Sequence, residues 1–147
     1  NNIIFLALDA TKSRMIRAYL NPDTPVYATS QLFANNNDAL FNHDLNGILF
    51  MDMPWLLQPN NPAVTAYREM IQTKSTDMER FTALGIDALR LAAHMLQAQS
   101  ADEISLHGVT GRIYFVPPGQ FAREPLFAQF EKGKVILLDV QEEKIVD

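Results

Sequence analysis

Three short apolar runs, Ile3–Leu8, Pro25–Thr29 and Gly47–Met53, are separated by polar or helically spaced segments. This order constrains the fold more than any other feature of the chain. A brief continuous apolar run reads as a buried strand, and a chain returning to a parallel neighbour needs a crossover of a dozen or more residues. The order therefore predicts β-α-β-α-β with right-handed crossovers. The fold class is α/β: an open, mostly parallel sheet flanked by helices. Asp9 or Thr11 caps the first helix, predicted to run to about Leu20 with Met15, Ile16, Tyr19 and Leu20 on one apolar face. Ser30 to Asp44 is polar and holds one short turn of helix over Asp38 to Asn42.

The third run ends abruptly. Pro54 forces Met53 out of the α region and cannot donate to a sheet ladder, so pairing weakens there. Trp55, the only tryptophan, follows directly. A large aromatic just past a strand end lies where open α/β folds put their working surface, and it equally reads as a cap on the core.

Asn61 and Pro62 start a helix whose apolar face is Val64, Tyr67, Met70 and Ile71. Thr76-Asp77 begins the longest helix, predicted to about Gln97. Phe81, Leu84, Ala88, Leu91 and Met95 follow a 3-4-3-4 spacing, and Ile86, Leu89, Ala92, Ala93 and Leu96 fill most of the remaining circumference. A helix apolar nearly all round must be covered on several sides. Strands are then predicted over Glu103–His107 and Gly111–Phe115, followed by a C-terminal β-hairpin of Glu124–Glu131 and Lys134–Asp139 turning at Lys132-Gly133. Gln141 to Asp147 reads as an acidic tail. With 147 residues the chain reads as a single α/β domain. It opens on Asn1-Asn2 immediately before a strand, without methionine or signal peptide, and is expected to be a fragment of a longer protein.

Composition excludes several functions. A net charge of −5 with scattered signs leaves no basic stripe for nucleic acid. No apolar run approaches the length needed to cross a bilayer. Cysteine is absent, which removes thiolate nucleophiles and cysteine metal sites. His43, His94 and His107 lie far apart without a second ligand at metal spacing, so no metal is expected. No serine sits in a nucleophile elbow, and Gly108-Val109-Thr110-Gly111 precedes a strand and lacks the phosphate-loop lysine. Neither catalytic residues nor a cofactor are predicted.

What remains is an edge. Asp9 and Thr11, Ser30 and Gln31, and Asp52, Met53 and Trp55 follow the carboxyl ends of three consecutive parallel strands, where ligands and partners sit in such sheets. These seven residues are the candidate cleft or partner-binding set.

The residues also carry a resemblance. Val26-Tyr27-Ala28-Thr29-Ser30, Leu45-Asn46-Gly47-Ile48 running to Met53-Pro54-Trp55-Leu56, Phe81 to Ala88 with Leu91-Ala92, and His107 to Gly111 occur in the order found in the carboxyl-terminal domain of the LppC/LpoA lipoprotein family. The broader likeness is to the second lobe of a type I periplasmic binding protein. The resemblance implies one lobe of that fold plus a hinge-crossing helix over about 77–98. It further implies a non-catalytic periplasmic module of an outer-membrane lipoprotein, whose partner is a bifunctional class A peptidoglycan synthase, a penicillin-binding protein. The lipid anchor is absent from this fragment, so membrane contact is expected only in the parent. Half of a solute-binding or ligand-sensing protein, with a small ligand in the interlobe cleft, is the alternative. The apolar helix, bare without the other lobe, is expected either to pair with a copy of the chain as a homodimer or to pack on its own sheet.

Overall fold

A computed structural model describes residues 2–71 and 75–139, so the acidic tail predicted over Gln141 to Asp147 lies outside the described residues. The chain divides into two compact units, Asn1–Met51 with Phe127–Asp147, and Asp52–Leu126. The long helix lies wholly in the second.

The first unit opens with β1 (Ile4–Leu6), α1 (Ala10–Arg17), β2 (Val26–Ala28), α2 (Ala39–Asn42) and β3 (Ile48–Asp52). It closes, numbering in chain order, with β7 (Leu126–Glu131) and β8 (Lys134–Leu138). One sheet runs β1-β2-β3-β7-β8. The first three strands are parallel, with Leu6, Ala28 and Phe50 in register at their carboxyl ends. β7 and β8 form the predicted antiparallel hairpin. Its turn residues Lys132 and Gly133 both take positive φ, the geometry of a two-residue turn matched to strand twist. The Gly133 N–H donates to Asn46 Oδ1 at 2.8 Å, and a Cβ at Gly133 would run into the Ala39 carbonyl.

One face of the sheet buries Leu6, Val26, Ala28, Ile48, Phe50, Ala128 and Phe130. Phe33, Phe50 and Phe130 pack there with ring centroids 5.3–6.3 Å apart. The other face leaves Phe5, Tyr27, Met51 and Phe127 exposed. Ile3–Leu8 is therefore not fully buried as predicted: β1 is an edge strand, and Phe5, at 63% exposure, points to the uncovered face. The apolar face predicted for the first helix also fails. α1 ends at Arg17 and buries Ala10 and Ser13, whereas Met15 and Tyr19 are exposed. α1 packs against the 3₁₀ turns Ser30–Leu32 and His43–Leu45, and small side chains allow that approach.

The second unit contains α3 (Pro54–Leu57), α4 (Pro62–Arg68), α5 (Thr76–Gln97), β4 (Ser105–Gly108), β5 (Gly111–Val116) and β6 (Gln120–Glu124). Pro54 does end the strand, as the first residue of α3. Asn61 caps α4 and Ser75 caps α5, each by accepting a backbone N–H. Val64 is fully buried as predicted, but Met70 lies beyond α4 and is 82% exposed. α5 buries only Ala83 and Asp87, leaving Met78, Phe81, Leu84, Leu89, Met95 and Leu96 exposed. The bare apolar surface expected of this helix is present.

β4, β5 and β6 form a separate antiparallel sheet in that order. The strand predicted over Glu124–Glu131 is β7, which starts at Leu126, and β6 was not predicted. Pro125 cannot donate to a ladder, so Gln120–Glu124 pairs with β5 while Leu126–Glu131 enters the five-stranded sheet.

Candidate functional site

The loops after β1 and β2 meet at one edge of the first unit. The Thr29 N–H donates to the Leu6 carbonyl at 3.3 Å, tying the two strand ends together. Asp9 caps α1, accepting the Lys12 N–H at 2.9 Å, and its other oxygen pairs with Lys12 Nζ at 3.1 Å. These bonds, the backbone one foremost, hold the Asp9 carboxyl below its ordinary pKa of 3.8. Thr11 is exposed and accepts a hydrogen bond from Arg14, whose guanidinium also stacks over the Phe41 ring at 3.5 Å. Ser30 is half-buried at the head of a 3₁₀ turn, and Gln31 beside it is exposed. The edge of the first unit thus brings together Asp9, Thr11, Ser30 and Gln31.

Asp52, the last residue of β3, is where the second unit begins, and Met53 and Trp55 follow in it; all three are buried. Asp52 receives two bonds from the Arg80 guanidinium, at 2.7 and 3.4 Å, and one from the Met53 N–H. The Trp55 indole N–H donates to Glu79 at 3.1 Å. Arg68 pairs with the same Glu79 oxygen at 3.0 Å, donates to the Trp55 carbonyl and lies over the indole ring. Trp55 therefore ties α3, α4 and α5 together, which is the core-capping alternative left open by the sequence.

One residue escaped sequence reasoning as a site of its own. Asp87, 2% exposed on α5, accepts bonds from the Val109 and Thr110 N–H groups, the Thr110 hydroxyl and Arg90. A Cβ at Gly108 would overlap its carboxylate. The available signal was a lone acid within the apolar run from Phe81 to Leu91, together with a glycine-flanked turn downstream. A cavity of 470 Å3 borders that turn, with Gln58, His107, Arg112 and Glu124 in its wall. Among the described residues no group of side chains is arranged to hold a metal ion, and no helix is long and apolar enough to cross a membrane.

A parallel sheet with its loops gathered at the strand ends, followed by a β-hairpin, is one half of a familiar design. The carboxyl-terminal domain of LpoA from Haemophilus influenzae, titled a regulator of PBP1A, superposes with a TM-score of 0.74 at 20% identity, over 94% of this chain and 46% of that one. A structure from Chromobacterium violaceum titled "a putative branched-chain amino acid ABC transporter" gives a TM-score of 0.71 at 36% identity, over 87% of this chain and 42% of that one. The fold is that of periplasmic-binding-protein-like receptors. The penicillin-binding protein activator LpoA of Vibrio antiquarius is 28% identical over 113 residues, which are 74% of this chain and 19% of that protein. LpoA of Glaesserella parasuis is 25% identical over 114 residues, again 19% of its length. The family model described as "LppC putative lipoprotein" matches residues 1–133, and the chain belongs to the LppC family. It spans about a fifth of the length of these relatives.

Proposed function

We propose that this chain is a non-catalytic contact module of a penicillin-binding protein activator, and that its parent is an outer-membrane lipoprotein facing the periplasm. There the parent holds a bifunctional class A peptidoglycan synthase and raises its activity. The observation that carries this reading is the family match across residues 1–133, with relatives named as activators. The chemistry of the second unit is consistent with it. Asp52, Glu79 and Asp87 are each engaged by cationic or N–H donors, so these carboxylates have a structural occupation. Asp9, Thr11, Ser30 and Gln31 form the contact edge in this proposal, with Asp52, Met53 and Trp55 shaping the unit that follows. For the isolated chain, the exposed apolar face of α5 favours a homodimer; a monomeric mass in light scattering, with α5 intact, refutes that part.

A second reading has its own support. The greater identity to the Chromobacterium structure, 36%, favours half of a small-solute receptor with a ligand held between lobes. One experiment separates the two. Synthase activity is measured with the full-length parent and with a parent carrying Thr11→Glu and Gln31→Lys. The proposal expects activation by the first and at least a several-fold weaker response to the second. Activation by neither, together with thermal stabilisation by an amino acid, favours the receptor.

A further inference from the structure

Among the described residues, β6 is paired on one side only. Its register with β5 runs from Val116↔Gln120 to Arg112↔Glu124, and it ends the three-stranded sheet. Alternate N–H and C=O groups along Gln120–Glu124 therefore point away from the sheet, a template for another extended backbone. Beside this edge, a groove of 290 Å3 lies between the strand and α5. Leu84, Ala88 and Leu91 form its helical wall, and Ile113 and Phe121 its strand wall. Asp87 also borders it, but that carboxylate is already engaged. Phe121 is fixed edge-on against Phe115, with centroids 5.5 Å apart, so the strand wall is a packed surface.

Arg123 gives the groove its polarity. It is exposed, faces the same side of the sheet as Ile113 and Phe121, and has no ion-pair partner among the described residues. A free guanidinium in a chain of net charge −5 marks a local reversal of sign. Extended backbone, an apolar slot on one face and an unpaired cation together specify the occupant.

The geometry points to strand addition: β6 takes up an extended segment of a partner polypeptide as a fourth strand, with an apolar side chain in the groove against α5 and an acidic one on Arg123. This goes beyond the activator reading, since it concerns the form of the bound segment and not the identity of its owner.

The test uses the 147-residue chain, ¹⁵N-labelled, and two capped synthetic hexapeptides, Val-Ser-Glu-Ser-Val-Ser and Val-Ser-Lys-Ser-Val-Ser, in which valine and the charged residue lie two apart and so share one face of an extended strand. Strand addition predicts shift changes concentrated on the amides of β6 and on Leu84, Ala88 and Leu91, with the glutamate peptide binding at least tenfold tighter. Arg123→Glu, a change at an exposed position, must reverse that preference while leaving the spectrum of the first unit unchanged. The inference is overturned if shifts are absent at millimolar peptide, or map to the edges of β1 or β8. Equal affinity for both peptides, or a peptide-free dimer joined through β6, overturns it as well. Peptide binding without synthase activation by the parent counts against the activator reading alone.

Discussion

Asp87 and Thr110 meet through two hydrogen bonds to a single carboxylate oxygen, from the Thr110 N–H at 2.8 Å and its hydroxyl at 2.7 Å. The Val109 N–H reaches the other oxygen at 3.0 Å. A side chain from mid-helix thus supplies the hydrogen bonds that the turn between β4 and β5 cannot make for itself. Replacing Asp87 with alanine strands two buried N–H donors and a hydroxyl, and is expected to cost about 3 kcal/mol or more. Asp87→Asn keeps the acceptor oxygen and loses less. Chemical denaturation of both variants checks the order; equal stabilities would contradict the assignment.

The pair between Asp52 and Arg80 is the most enclosed in the second unit, with side chains 1% and 13% exposed. Removing one charge leaves the other desolvated, so Arg80→Met is expected to destabilise by roughly 3–5 kcal/mol. Adding Asp52→Asn should restore part of that loss. A double-mutant cycle in urea reads the coupling directly; simple additivity would mean the pair contributes nothing specific.

Trp55 offers a built-in probe, since it is the only tryptophan and is 1% exposed. Trp55→Phe keeps most of the buried ring and loses the bond to Glu79, at a cost of about 1–2 kcal/mol. Trp55→Ala empties the site and costs about 3–5 kcal/mol. In the wild type, quencher access to the indole should appear only as the second unit unfolds. Quenching in the folded chain would place Trp55 at a surface instead.

Acid should weaken the first turn of α1. The Asp9 carboxyl has a lowered pKa in the folded chain, so its contribution is present above the ordinary value of 3.8 and is lost as pH falls through the folded value. Asp9→Ala is therefore expected to lower the melting temperature at neutral pH. The gap from wild type should narrow as the pH falls from 3.8 through the folded value. A gap that persists in acid would mean the residue acts by something other than its charge.

The parallel half of the fold was legible in the sequence because short apolar runs, the cap offered by Asp9 or Thr11, the turn over Asp38 to Asn42 and the Pro54 break are local signals. What escaped was set by tertiary contact. Whether Met15 or Ser13 is buried depends on the two 3₁₀ turns that α1 packs against, which a periodic pattern does not encode. β6 escaped as well: the predicted strand began at Glu124, whereas Pro125 separates Gln120–Glu124 from Leu126–Glu131. The edge residues divided in the same way. Asp9 was readable as a cap, whereas the burial of Asp52 and Trp55 depends on Arg80 and Glu79, more than twenty positions away. Long-range partners of this kind leave no spacing signature.

The proposal most in need of a test is that the chain grips a partner protein and carries out no reaction of its own. Binding of a purified class A synthase to the immobilised 147-residue chain tests it most directly, with free amino acids as competitors. The account predicts saturable binding that amino acids leave unchanged. A folded chain that ignores the synthase, but is stabilised on heating by a small solute, would contradict it.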